Sequence, residues 1–166
     1  GAANMMDFSS KTNDEIDTWI ENHEEKKATD LPLYKELLEE RARRQSNQLN
    51  IDVSLRHLIQ AAHAKNFTTY GELAEANSVP WSVARHTMNG PRGHLDRLLD
   101  VCHARGYPLL TSICVNQGGR DSGELGAEAM KGFVAGVRRL GYILSDESVF
   151  LRECQNKCFE WAKEES

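Results

Sequence analysis

The chain has 166 residues, 40% of them hydrophobic and 27% charged, with a formal net charge of −5. That length suffices for one domain with its own core, and the composition is ordinary globular, which argues against disorder and fibrous repeats. No apolar run approaches the roughly 18 residues of a membrane span, so a soluble protein without membrane contact is expected.

Gly1-Ala2-Ala3-Asn4, ahead of Met5-Met6, reads as a cloning scar, and Met5 is followed by Asp7, Ser9 and Ser10 rather than by an apolar stretch. A cytoplasmic location is therefore expected. The charge is uneven. Residues 1–55 carry 7 Lys/Arg against 12 Asp/Glu, residues 56–141 carry 10 against 7, and residues 142–166 carry 3 against 6. A mildly basic centre between acidic flanks permits nucleic-acid contact without demanding it. The four cysteines form no Cys-x-x-Cys pair. Cys154 and Cys158, one helical turn apart, read as small core hydrophobes, and no metal or other cofactor is expected.

Thr12-Asn13-Asp14 offers an N-cap, and Ile16, Trp19, Ile20 and His23 repeat at helical spacing, predicting a helix over about 13–27. Asp30 and Pro32 restart the chain for a second helix to about Arg44, with Leu33, Tyr34, Leu37, Leu38 and Ala42 inward. Its charged residues, Glu36, Glu39, Glu40, Arg41, Arg43 and Arg44, read as a solvated face with i,i+4 pairs. Ser46 to Asn50 reads as a linker, dividing a helical extension (1–50) packed on the core from a compact unit (51–166).

A third helix is predicted from Asp52, with Leu55, Leu58, Ile59 and Ala62 inward. Thr69 and Glu72 have capping-box spacing and start a short helix. Asn77-Ser78-Val79-Pro80 is a tight turn, and Trp81 to Met88 forms another helix, stopped by Asn89-Gly90-Pro91. This is the helix-turn-helix pattern. A longer helix follows from about Gly93 to Arg105, ended by Gly106. Leu109 to Val115 is β-prone and of strand length, and Asn116 to Asp121 is a turn cluster suited to a wing tip. A helix over about 127–140 and a final helix from Ser145 to about Lys163 complete the chain. The predicted fold is mainly α with a small β component: a winged-helix-like helix-turn-helix core flanked by an N-terminal helical pair and a C-terminal helix. Leu58, Leu73, Val83, Leu98, Ile113, Phe133 and Val137 are expected to share one core with Trp19, Leu37 and Trp161.

Thr69-Tyr70-Gly71-Glu72-Leu73-Ala74, then Val79-Pro80, a helix bearing Arg85, and Asn89-Gly90-Pro91 resemble the C-terminal winged helix of DNA alkylguanine methyltransferases and their non-catalytic alkyltransferase-like relatives. The resemblance covers about a third of the chain. It implies that Tyr70 presses on a DNA phosphate and that Arg85, offset by about one position, fills the gap left by a flipped base. The family's Pro-Cys-His-Arg signature is absent: Pro108-Leu109-Leu110-Thr111 stands at that place, Cys114 lies further along, and the helix over 93–105 is an extra element. Alkyl transfer needs an activated thiolate beside a His, so no such activity is expected. The whole chain also resembles uncharacterised bacterial proteins ending in a Phe150-Leu151…Gln155…Phe159…Trp161-Ala162 helix, a likeness that brings no activity with it.

The expected nucleic-acid-binding residues are Thr69, Tyr70, Trp81, Ser82, Arg85, His86, Asn89, Arg92 and Arg120. Trp81 suits either stacking on a base or stapling its helix to the core. His86, Asn89, Arg92 and His94 suit phosphate contacts or an ordinary polar face. Arg138-Arg139 reads as solvated, and Gly119-Arg120-Asp121-Ser122-Gly123 as a turn rather than a protease nucleophile loop. His57 and His63, six apart, have poor metal spacing. A non-enzymatic DNA-binding module is thus the first expectation. A protein-interaction module on the same scaffold, favoured by the acidic balance, is the alternative.

Overall fold

The computed structural model describes residues 6–44 and 49–165; the scar and most of the expected linker lie outside the described residues. The helices are α1 (Asn13–Glu25), α2 (Pro32–Arg44), α3 (Ile51–His63), α4 (Tyr70–Ala76), α5 (Trp81–Met88), α6 (His94–Arg105), α7 (Ala127–Arg139) and α8 (Glu147–Glu165). Two short strands, β1 (Thr68–Thr69) and β2 (Cys114–Val115), complete a fold that is mainly α with a small β component. Side chains set the helix starts. Thr12 and Glu15 form a reciprocal capping box, Asn50 accepts from Val53 N, and Thr69 accepts from Glu72 N. Gly106 ends α6 in the left-handed conformation that glycine adopts without strain.

α2 runs along α6, and α3 lies against α4, α6 and α8. The strands pair in parallel, Thr68 with Cys114 and Thr69 with Val115. The expected strand over 109–115 is mostly a 3-10 turn, Leu110–Ile113, with only its last two residues in the sheet. The cause is burial on every side: Leu109 to Val115 are all buried, so no face alternates toward solvent. Side chains of α8 take the carbonyls a neighbouring strand would have taken, Gln155 Nε2 donating to Ser112 O and the Cys158 thiol to Leu109 O. The turn cluster after β2 does not project as a β-hairpin wing. It folds back, with Asn116 Oδ1 accepting from Gly126 N and Gly123, at φ +81°, lying under the Phe67 ring.

Three arginines converge on Asp100, which is 0% exposed. Arg41 Nη2 and Arg97 Nη1 lie 3.0 Å from Asp100 Oδ2, and Arg139 Nη2 lies 2.7 Å from its Oδ1. Arg41 also faces Asp17 at 3.5 Å, and Arg139 donates to Glu24, which accepts from Tyr34 as well. The cluster ties α1, α2, α6 and α7 together. Arg41, expected on a solvated face, is therefore buried, and Arg139 is half-buried against Asp100, while Glu40–Arg44 is the expected i,i+4 pair and is likewise half-buried.

A second buried network joins α3, α4 and α6. His94 Nε2 lies 2.6 Å from Ser54 Oγ, which accepts from Asn77 Nδ2, and Asn77 Oδ1 accepts from Asn50 N. His94 is thus a core residue and not a phosphate contact. Burial pushes its pKa down to about 4.

Asp100→Asn removes the charge that three guanidinium groups share, and the stability measured by urea unfolding is expected to fall by roughly 3–5 kcal/mol. For His94, a folded pKa below the ordinary 6.5 means that stability is fully present above about pH 6.5 and is lost as pH falls toward about 4. The loss is on the order of 3 kcal/mol. Urea unfolding at stepped pH is expected to show it, and His94→Gln to flatten that slope.

Candidate nucleic-acid interface

Helix α5 is held by few residues. Ala84 and Met88, one turn apart, bury one stripe, and Ser82, Arg85, His86 and Asn89 point outward. Trp81 is 43% exposed and Val83 is 44% exposed. Val83 is therefore not a core residue: it sits about 100° around the helix from Ala84, off the buried stripe. The rest of the expected core is interior, with Leu58, Leu73, Leu98, Ile113, Phe133, Val137 and Leu37 buried and Trp19 and Trp161 packed against them.

Beside α5 a cavity of about 670 Å³ opens between the α5–α6 connection and α7. Trp81 forms one edge, with Asn89, Gly90 and Pro91 continuing it, and Leu95, Leu99, Leu125 and Phe133 supply apolar wall. The space exists because the facing side of α7 carries Ala129, Gly132 and Gly136 at i, i+3 and i+7. A Cβ at Gly132 would meet no atom within 4 Å, and one at Gly136 would come within 2.7 Å of Leu99, so Gly136 lets α7 approach α6 closely.

The remaining wall is polar: Tyr70, Thr111, Cys114 and Asn116 are uncharged, and Asp96, Glu128, Lys131 and Arg139 bring charge to it. Tyr70 is buried, and burial, with Cys114 beside it, holds its phenol well above the usual range. Cys114 is 1% exposed and its thiol is likewise pushed up by burial. Thr111 is 5% exposed, and its Oγ1 has no hydrogen-bond partner among the described residues.

The expected contact residues thus divide. Trp81, Ser82, Arg85, His86 and Asn89 share the exposed side of α5 and its end. Thr69 is buried in the α4 cap, and Tyr70 faces the cavity rather than an open surface. Arg120 is held by Glu72 through two hydrogen bonds, Nε to Oε1 at 2.7 Å and Nη2 to Oε2 at 3.1 Å. Arg92, at φ +63°, faces Glu21 at 3.5 Å and Asp17 at 3.9 Å. The potential here is mixed, and Arg85 is a cation with no ion pair among the described residues.

Sequence reasoning missed Thr111, Cys114 and the α7 wall. It matched Leu109 to the family's reactive position, yet Leu109 packs beneath Cys158, and Cys114 is the thiol on the cavity wall. The available signal was the small-residue stripe at 129, 132 and 136. Among the described residues no group of three or more His, Cys, Asp or Glu is placed to hold a metal ion, and no helix is long and apolar enough to cross a membrane. Comparison with protein-family models, with curated proteins and with solved structures finds no match.

Burial raises the Cys102 and Cys158 thiols to about 12 and the Cys154 thiol to about 11, and Cys114 is raised as well. The nucleophile is the thiolate, so none of the four is activated. Incubation with duplex DNA containing alkylated guanine is expected to leave the intact mass of the protein unchanged; an alkyl adduct on Cys114 would refute this.

Proposed function

We propose that the chain is a non-enzymatic nucleic-acid-binding module, with DNA as its partner, that presents α5 to the strand and holds one unstacked base in the cavity beside it. The observation that carries this reading is the partly exposed Trp81 indole at the edge of a cavity of about 670 Å³, on the helix that also projects Arg85 and His86. That volume is in the range of ligand pockets. An aromatic edge stacks on a base, cations on the same helix meet its phosphates, and the neutral Tyr70, Thr111, Cys114 and Asn116 suit a base drawn out of its stack.

The resemblance to alkyltransferase-like proteins points the same way, with one change: Tyr70 belongs to the wall of the base site rather than to a phosphate contact. With Arg92 and Arg120 engaged by acids, Arg85 carries most of the phosphate attraction, so binding is modest and weakly salt-dependent. Four free, buried cysteines fit a reducing cytoplasmic setting. A second reading, a protein partner seated on α5, rests on the exposure of Val83 beside Trp81 and on the mixed charge of this face.

Fluorescence anisotropy with labelled duplex and single-stranded oligonucleotides at low salt separates the two. Arg85→Ala is expected to weaken binding and to lower the salt slope by about one. Gly132→Trp, which fills the cavity from a helical position where a Cβ meets nothing, is expected to weaken binding to a strand with an unpaired base about tenfold while leaving Tm within a few degrees. Absence of binding to either oligonucleotide would sink the nucleic-acid reading in favour of the protein partner.

A further inference from the structure

The 3-10 turn Leu110–Ile113 crosses the interior between α3, α6 and α8 and ends at the cavity wall. Its polar side chains are treated unequally. Ser112 Oγ lies 3.5 Å from Cys158 Sγ, and the Ser112 carbonyl accepts from Gln155. Thr111, the residue before it, lines the cavity, yet its buried hydroxyl has no partner among the described residues. An unpaired buried hydroxyl is costly, and native proteins keep few of them. On a cavity wall, the group that would relieve it is the occupant. A χ1 step of about 120° moves the hydroxyl to another of the three staggered positions about Cβ and lets it meet an occupant lying against the wall.

The neighbouring groups state what that occupant is. The Tyr70 phenol and the Cys114 thiol are neutral at physiological pH, held so by burial. Of the charged groups at the cavity, Asp96 Oδ2 accepts from Arg92 N and Arg139 binds Asp100 and Glu24, while Glu128 and Lys131 are exposed on α7. The Tyr70, Thr111 and Cys114 side chains offer no countercharge for a phosphate or carboxylate, whereas a hydroxyl both donates and accepts.

We infer that Thr111 is the specificity-determining residue of the cavity, its hydroxyl hydrogen-bonding an uncharged heteroatom, a carbonyl oxygen or a ring nitrogen, on the edge of the base held there. This rests on the reading of the cavity as a base site. A base with such an edge is preferred over one of the same shape without it, because the latter leaves the hydroxyl unpaired.

The test uses the full chain and two duplexes, one with a single bulged thymine and one with its nonpolar isostere, difluorotoluene, at the same position. The unaltered protein is expected to bind the thymine duplex about tenfold more tightly. Thr111→Val is expected to abolish that preference by losing thymine affinity alone. Thr111→Ser, which restores the hydroxyl, is expected to keep it. The Tm of Thr111→Val is expected to be no lower than that of the unaltered protein, since the hydroxyl makes no bond in the empty cavity. Equal affinity of the unaltered protein for both duplexes would overturn the role of Thr111 and leave the nucleic-acid reading standing. Binding of neither duplex would overturn both. A fall of several degrees in the Tm of Thr111→Val would show that the hydroxyl is satisfied within the fold and would likewise overturn its role.

Discussion

A carboxylate shared by three guanidinium groups is a demanding arrangement to bury, and Asp100 makes it the junction of the molecule. Each charge gives up hydration worth several kcal/mol, which mutual attraction offsets only where geometry is good and the remaining atoms are bonded. Here the offset is incomplete. Arg41 Nε and Arg97 Nε have no partners, and burial pushes the Arg97 pKa below its ordinary value against the pull of Asp100. The cluster survives because charges balance around it: Asp17 and Glu24 on α1 meet Arg41 and Arg139. Removing any partner leaves the others uncompensated, so the arrangement specifies how α1, α2, α6 and α7 meet more than it adds stability.

That constraint reaches the cavity directly. Arg139 is bonded to Asp100 and also lines the cavity, and Gly136, one turn earlier on α7, packs against Leu99 of α6. The ion cluster sets where α7 runs, and the small residues at 129, 132 and 136 then leave a gap rather than a packed seam. α5, held only through Ala84 and Met88, contributes the opposite edge. The site therefore has one rigid wall, fixed by buried charge, and one edge carried on a lightly anchored helix. Such an edge is suited to adjusting around an occupant.

The helices were legible because their signals are local. Thr12 with Glu15, Asn50, Thr69 with Glu72, and Gly106 each act on backbone groups within a few residues, so sequence alone places them. The exposed side of α5, with Arg85, His86 and Asn89, follows from the same periodicity. What could not be read depends on partners distant in sequence. A charge run such as Glu39 to Arg44 looks the same whether Arg41 meets water or an aspartate 59 residues away. Leu109 to Val115 has strand composition, but a segment buried all round takes its hydrogen bonds from whatever surrounds it, here α8. The cavity wall was invisible for the same reason, since Tyr70, Thr111 and Cys114 lie on different elements and only the parallel β1–β2 pairing brings them side by side.

General acid–base catalysis requires a group that titrates near the working pH, and nucleophilic catalysis requires a partner that takes the proton. Burial moves Tyr70 and Cys114 the wrong way for both roles. Three histidines are engaged within the fold, His94 against Ser54, His57 against Thr68, and His103 between Thr29 and Tyr142, while His86 is exposed on α5. Neutral hydroxyl, thiol and amide groups such as those of Tyr70, Thr111, Cys114 and Asn116 discriminate by hydrogen-bond pattern, because a mismatched partner leaves buried polar atoms unpaired. The same burial that raises the Tyr70 phenol and the Cys114 thiol keeps both neutral, and Arg85 and His86 stand apart from them on the exposed side of α5.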